Sequence, residues 1–402
     1  MGQLSAFLLA AWVVVPGVAS FAPTLPQRRL RATILREDFP IAQPPSVSLA
    51  VFSSELWDDP PDDCRRCLLL ALSLTLLPGG SATTEALAKE GIDQVTVPLR
   101  WNGDAYLVYY RVGGDLFRAV LDTGSPFLTV PGTCDAVVKS RWGCYREQGI
   151  PSGLPPTTEI FDGNEGEVQW RSAPFSFVNA TGSMIGPPLT TFGVVSQSLM
   201  VGPGGVFFGL LRDTDKRIRP SFLGQTDVCA FKIDLASETK TLTLSNIPLI
   251  NPLRRGDAVP LVSDLRRKYG DPNMHYVGRV RSIQVNGTPL NQSESQPIYA
   301  IFDSGVTGMV VSQDLFNNRY ADARRMREKS LWGDVSVSFR TISGGTVELQ
   351  ASSPITTPLT QTPWRGRKVS LIVLGLSFLE NNQIIIDIDQ EELLIETGGQ
   401  IN

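Results

Sequence analysis

Two short stretches, far apart in the chain, restrict what the protein can fold into more than any bulk property does. Ala119-Val120-Leu121-Asp122-Thr123-Gly124-Ser125-Pro126 and Ala300-Ile301-Phe302-Asp303-Ser304-Gly305-Val306-Thr307-Gly308 each run from an apolar, β-favouring segment into a carboxylate, then a small hydroxyl residue and a glycine. A carboxylate after such a run sits at a strand end, where buried backbone aims it, and the glycine lets the chain turn without a Cβ clash. One Asp-Thr-Gly is a weak signal, because three common residues recur by chance. Two of them, 181 positions apart, are each followed by an apolar run ending in glycine, Val206-Phe207-Phe208-Gly209 and Ile372-Val373-Leu374-Gly375. That order describes a duplicated unit with one carboxylate per copy.

Around these stretches the pattern is all-β. The 36 glycines and 29 prolines punctuate short β-branched and aromatic runs, and helical periodicity is scarce. Strands expected at 95–99, 106–112 and 117–121, with turns at Asn102-Gly103 and Gly113-Gly114-Asp115, deliver Asp122. Residues 159–170 read as a hairpin with a polar, glycine-bearing tip. A Pro/Gly-punctuated segment at 246–260 separates an N-terminal β unit, 89–250, from a C-terminal one, 251–402. The second unit repeats the order with strands at 276–285 and 298–302, a helix over 313–329, strands at 335–339 and 346–350, and a closing hairpin at 383–388 and 393–395. In an oxidising compartment Cys134 and Cys144 form a local disulfide across a loop, leaving Cys229 as a buried free thiol.

Composition then prunes the chemistry. The formal net charge of −4 offers no electrostatic footprint for nucleic acid. The single histidine, His275, excludes any triad or metal centre that needs two imidazoles. A strand follows it directly, so a structural role is expected for it. No Gly-x-Ser-x-Gly elbow is present and Cys229 lacks the surroundings of a nucleophile. Neither a metal nor a cofactor is expected, and catalysis falls to carboxylates.

Asp122-Thr123-Gly124-Ser125 with Val130-Pro131 downstream, the Cys134/Cys144 loop, Asp303-Ser304-Gly305, both apolar runs ending in glycine and the closing hairpin together resemble the pepsin-like aspartic proteases, peptidase family A1. The likeness covers essentially all of 95–396. It implies a bilobal β fold with a cleft between two related lobes, and a monomeric endopeptidase acting on polypeptide substrates through a water activated by Asp122 and Asp303. Two carboxylates held close together cannot both ionise cheaply, so they share a proton, and neither is assigned a fixed role. The resemblance further implies that Thr123 and Ser304 brace the two loops and that Ser125 bonds the outer oxygen of Asp122. Gly124, Gly305 and Thr307 complete the loops, and a flap carrying Ile160, Phe161, Asp162 and Gly163 covers substrate. The chain departs from the family at three places: Val306 stands where the second loop would carry a hydroxyl, Thr129 stands where the family has a tryptophan, and the flap has no tyrosine. The alternative is a protease-fold protein that binds peptides, or inhibits another enzyme, without cutting.

The N-terminal region reads as targeting sequence. Residues 1–20 carry an apolar run and then Pro16-Gly17-Val18-Ala19-Ser20, the pattern of a secretory signal peptide. From Phe21 onward Arg28, Arg29, Arg31 and Arg36 precede the first acidic residue, Glu37, which resembles the transit part of the bipartite presequence of algae whose plastids lie inside the secretory system. A second apolar run, 67–77, follows Arg65-Arg66 and leads to Ala86-Leu87-Ala88. It is too short to span a bilayer as a helix, which takes about 20 residues, and resembles a twin-arginine signal into the thylakoid lumen. Residues 21–88 are thus a transit peptide plus second signal, and the mature chain, starting near Lys89 and without a stable membrane span, is expected in the thylakoid lumen. The alternative makes 21–88 a pro-segment of a secreted or vacuolar protein. Sequons at Asn179, Asn286 and Asn291 permit glycosylation on a secretory route.

Overall fold

The structure is a computed structural model and describes residues 94–132, 134–146, 149–161, 164–182, 188–195, 206–212, 220–271, 273–290, 296–329, 331–359 and 369–397. All of them belong to one of the two units into which the chain divides. The expected targeting segments, 1–20 and 21–88, lie outside the described residues, as do Asn291 and the hairpin tip Asp162-Gly163.

Among the described residues the chain is mostly strand, arranged in four sheets, with a few short helices. The strand that leads to the second aspartate is fully enclosed, and the one that leads to the first is buried over its last four residues. Ile298–Phe302 is buried at every position, and so is its parallel neighbour Ser370–Leu374. That explains why both read as continuous apolar runs without alternation, since a parallel pair deep in a sheet is covered on both faces. In the first half Asp115–Asp122 lies between the antiparallel Tyr106–Val112 and the parallel Phe207–Gly209, with Gly209 opposite Asp122. In the second half Ile298–Phe302 lies between the antiparallel Val277–Val285 and the parallel Ser370–Leu374, with Leu374 opposite Phe302. One local plan is therefore built twice.

A seven-stranded sheet draws on both halves, in the order Thr181–Gly182, Gln94–Pro98, Thr241–Ser245, Ala230–Asp234, Asn382–Asp387, Glu392–Thr397, Val259–Pro260. Its middle is the antiparallel pair Ala230–Asp234 with Asn382–Asp387, where the first half meets the closing hairpin of the second. Hydrogen bonds from Leu249 and Ile250 N–H to the Asp387 carboxylate, 2.8 and 3.1 Å, anchor the crossing segment to this sheet.

The core of the first half is aromatic. Phe208 is fully buried, with ring centroids of Tyr110, Phe175, Phe177 and Phe222 at 5.8, 6.3, 5.6 and 5.0 Å. Since Phe208 neighbours Gly209 on the strand opposite Asp122, this packing fixes the floor beneath the first aspartate.

Some elements differ from the sequence expectations. Cys134 and Cys144 are joined as expected, but the loop they close contains a short helix, Ala136–Arg141, capped by Asp135, whose carboxylate accepts from Val137 and Val138 N–H. Cys229 is free but half-buried rather than buried. Its backbone is tied into the shared sheet through Ser245 and Ile388, and partial burial still pushes the thiol up to about 11. A short helix, Asp264–Tyr269, occupies the chain just after the crossing segment and ends on Gly270 in the left-handed conformation. The helix after the second motif is Gln313–Met326, stopping at Arg327 with φ 57°, before the expected 329. No described helix is long and apolar enough to cross a membrane.

Phe208→Ala empties the middle of the ring cluster and is expected to cost about 3–5 kcal/mol, read as a lowered urea midpoint. A loss under about 1 kcal/mol would show that the cluster does not support the strand Phe207–Gly209.

Candidate active site

The chain after each aspartate is gripped in the same way in both halves. Gly209 N–H donates to the Phe127 carbonyl and Gly375 N–H to the Gly308 carbonyl, at 2.5 and 2.9 Å, and the acceptors stand at equivalent places after Asp122 and Asp303. A Cβ on Gly209 would collide with the backbone of Ser125 and Phe127, and one on Gly375 with that of Val306 and Gly308. The glycine that ends each apolar run is therefore required by the loop threading past it. The sequence shows the pattern, and the close approach of two backbones supplies its cause.

The two loops are locked to each other by four buried hydrogen bonds. Thr123 Oγ1 donates to the Phe302 carbonyl at 2.8 Å and accepts from Ser304 N–H at 2.9 Å. Ser304 Oγ donates to the Leu121 carbonyl at 2.8 Å and accepts from Thr123 N–H at 3.2 Å. Each hydroxyl has one donor and one acceptor across the interface, so both are satisfied although Thr123 is 2% and Ser304 1% exposed. Gly124 packs so tightly on the partner loop that a Cβ there would collide with the Asp303 carboxylate.

This brace brings Asp122 and Asp303 together in a buried pair whose carboxyls hydrogen-bond each other. Their surroundings are unequal. Asp122 accepts from Gly124 N–H at 2.8 Å and from the Ser125 hydroxyl at 2.5 Å, whereas Asp303 accepts from Gly305 N–H at 2.9 Å and has Val306 where Asp122 has Ser125. Burial raises the Asp122 pKa, with Ser125 and Gly124 pulling it back. Burial and then the Asp122 charge hold Asp303 well above the usual carboxylate range. The two carboxyls therefore titrate as a pair, and the neighbours of Asp122 favour its ionised form more than those of Asp303 do.

Tyr276 braces the same floor from the second half. Its hydroxyl donates to the Leu210 carbonyl at 2.6 Å, and Leu210 N–H in turn donates to the Asp122 carbonyl at 2.8 Å. The Tyr276 carbonyl accepts from Phe302 N–H, at 3.1 Å, one residue before Asp303. Nothing in the local sequence marks Tyr276, because its partners are backbone groups brought in by folding. Thr307 does not hydrogen-bond the dyad. Its hydroxyl reaches the Asp104 carbonyl at 3.0 Å and ties the second loop to the first half.

Residues Thr157–Phe161 and Asn164–Ala173 form the expected hairpin, with Ile160 opposite Glu165 and Phe161 opposite Asn164. Thr129 is buried and its carbonyl accepts from the Tyr110 hydroxyl at 3.1 Å. Across the sheet Gly193 is paired with Thr129 on one side and Trp170 on the other, and Val168, Thr129 and Trp170 close over it. The hairpin's own Trp170, with its Nε1–H on Thr157 Oγ1 at 3.2 Å, thus fills the space beside Thr129. Gly193, an isolated glycine inside a strand, was the available signal that a large neighbour approaches there.

Among the described residues no group of three or more His, Cys, Asp or Glu is placed to hold a metal ion. No protein-family model matches the chain, and no curated protein matches it.

Thr123→Ala or Ser304→Ala strands backbone groups of the opposite loop, and each is expected to lower stability by about 1–3 kcal/mol. The double variant should lose less than the sum, by about 0.5 kcal/mol or more, in a denaturation cycle. Strict additivity would mean that the two hydroxyls act independently.

The dyad also sets a sign for stability against pH. The folded chain keeps a proton on Asp303 where the unfolded chain, near the ordinary 3.8, has released it. Stability linked to the pair is therefore full at low pH and is lost as pH rises through the folded value. Asp303→Asn is expected to unfold at higher urea than the parent at neutral pH, with the gap closing near about pH 3.

Proposed function

We propose that the protein is an aspartic endopeptidase on a bilobal, pepsin-like scaffold, with Asp122 and Asp303 as its catalytic pair. The observation that carries this reading is the reciprocal Thr123/Ser304 brace, which presses two buried carboxyls from separate motifs into hydrogen-bond contact. Burying two acids together costs stability, and perturbed carboxyls held in that way are characteristic of functional sites.

The inequality of the pair supports a division of labour. Asp122, whose ionised form is held by Ser125 and Gly124, acts as the base: it takes a proton from a water positioned between the carboxyls as that water's oxygen attacks the scissile carbonyl carbon. Asp303, carrying the proton, donates it to the carbonyl oxygen, giving a neutral gem-diol. The C–N bond then breaks as the amine nitrogen is protonated and the diol returns a proton to the pair, which restores one proton on the dyad. The hairpin 157–173, stiffened by Trp170, is the element that covers a bound peptide in this reading. The substrates are polypeptides, and the charge balance of the chain favours no nucleic acid partner. In this reading the N-terminal segments serve as plastid targeting, and the start of the native chain, near Lys89 or near Phe21, decides between the lumen and a secretory destination.

Asp122→Asn and Asp303→Asn are each expected to reduce hydrolysis of an unfolded protein substrate by about 1,000-fold or more while leaving the folded state intact, measured between about pH 3 and 6. Statine-type inhibitors should block the parent. Single variants that keep near-parental turnover would rule out a shared-proton mechanism. Parent protein that binds peptides but cuts none would leave a peptide-binding protein in its place.

A further inference from the structure

A groove of about 610 Å³ opens where the seven-stranded sheet meets the sheet of the second half. One side is Val259–Pro260, the last strand of the seven-stranded sheet, continued by Val262. The other is the antiparallel pair Val277–Val285 and Val335–Arg340 with the turn that follows it. Val259, Val262, Val280 and Ile342 make the lining apolar, and Ile342 is 45% exposed. Three arginines, Arg279, Arg281 and Arg340, line the same groove. A bulge between Val280 and Ser282 leaves Arg281 out of register with the neighbouring strand, a device that re-aims a side chain. Arg279 lies opposite Tyr299, so about four residues of strand, roughly 13 Å, separate its level from Asp303. The groove is thus a second site, apart from the two aspartates.

Among the described residues none of these three arginines takes part in a salt bridge, although the chain as a whole has a net charge of −4. The acids nearby are committed to other partners. Glu392, in register with Pro260, accepts from Arg255 Nε at 2.6 Å, and Asp257 accepts from Arg254 Nε at 2.7 Å. Asp264 accepts from Lys268 and the Tyr299 hydroxyl at 2.9 and 2.7 Å, and Glu348, in register with Ser338, accepts from Gln350 at 2.7 Å. Like charges gathered on neighbouring strands repel, and nothing in the fold offsets them here. We propose that this groove binds an acidic peptide segment, its carboxylates on Arg279, Arg281 and Arg340 and its apolar side chains against Ile342 and Val280. Guanidinium groups match carboxylates with paired N–H donors, and the apolar lining would be left uncovered by a small inorganic anion. The proposal does not depend on the catalytic reading of Asp122 and Asp303. Where that reading holds, the groove gives polypeptides with an acidic stretch a second point of attachment.

The test is direct binding, by fluorescence anisotropy, of a fluorescein-labelled short peptide of glutamates flanking two leucines to the intact protein at neutral pH. The same labelled peptide with glutamine for glutamate is expected to bind about 10-fold more weakly or worse. Arg279→Gln and Arg340→Gln should each weaken the glutamate peptide by about 5-fold or more, whereas Arg324→Gln, on the exposed side of the helix Gln313–Met326, should not. Ile342→Ser should weaken the leucine-bearing peptide more than a version with serine in place of leucine. All four side chains are exposed, and urea midpoints near the parent's verify that the variants are folded. Absence of saturable binding overturns the proposal, as does affinity unchanged in both Arg279→Gln and Arg340→Gln or equal for the glutamine peptide. Inorganic phosphate that competes fully at concentrations where the peptide binds, together with indifference to Ile342→Ser, would leave a simple anion site and also overturn it. None of these readings requires turnover, so a parent that cuts no peptide defeats the protease reading and leaves this one to stand or fall separately.

Discussion

Everything at the centre of this molecule depends on four hydrogen bonds between two loops that are far apart in sequence. Thr123 and Ser304 each give a proton to a backbone carbonyl of the other half and receive one from a backbone N–H. The exchange works only if both loops stop at the same height, and the parallel strands beside them set that height. Gly209 lies opposite Asp122 and Leu374 opposite Phe302, so the register of two ladders fixes where the carboxylates emerge. The aromatic packing around Phe208 and the strut through Tyr276 hold those ladders from below. Stability is thus spent on placing two acids where neither would sit by itself.

The near symmetry of this arrangement makes its departures from symmetry informative. Both loops have the glycine N–H that steadies the carboxylate, and both are threaded past a glycine that ends an apolar strand. Only the first has the hydroxyl, on Ser125. That difference favours negative charge on Asp122 over Asp303, which has Val306 in the matching place. The division of roles in the proposed mechanism follows from those unequal neighbours, since the two aspartates themselves are chemically alike.

Much of the scaffold was legible in the sequence for a local reason. Apolar runs that end in a carboxylate or a glycine are strands buried on both faces, and short runs separated by Asn-Gly or Gly-Gly turns are antiparallel neighbours, so the all-β body, the hairpin 157–173 and the closing hairpin could be read directly. The Cys134/Cys144 pair was readable from spacing. The short helices Ala136–Arg141 and Asp264–Tyr269 were not, because each spans under two turns and leaves no periodicity to detect. Trp170 was read as part of a strand, but its place beside Thr129 depends on a glycine in register on the strand between them and on the absence of a side chain there. Thr307 likewise found its partner, the Asp104 carbonyl, in the other half of the fold.

By itself, the sequence determined that the chain would form a largely β body with two equivalent carboxylates at strand ends, because burial of apolar runs and the turning of glycine are properties of neighbouring residues. Only the tertiary structure decided that the carboxylates meet and that their neighbours are unequal. Those outcomes depend on which groups share a low-dielectric interior and on what remains there to satisfy them, and that is set by segments far apart in the chain.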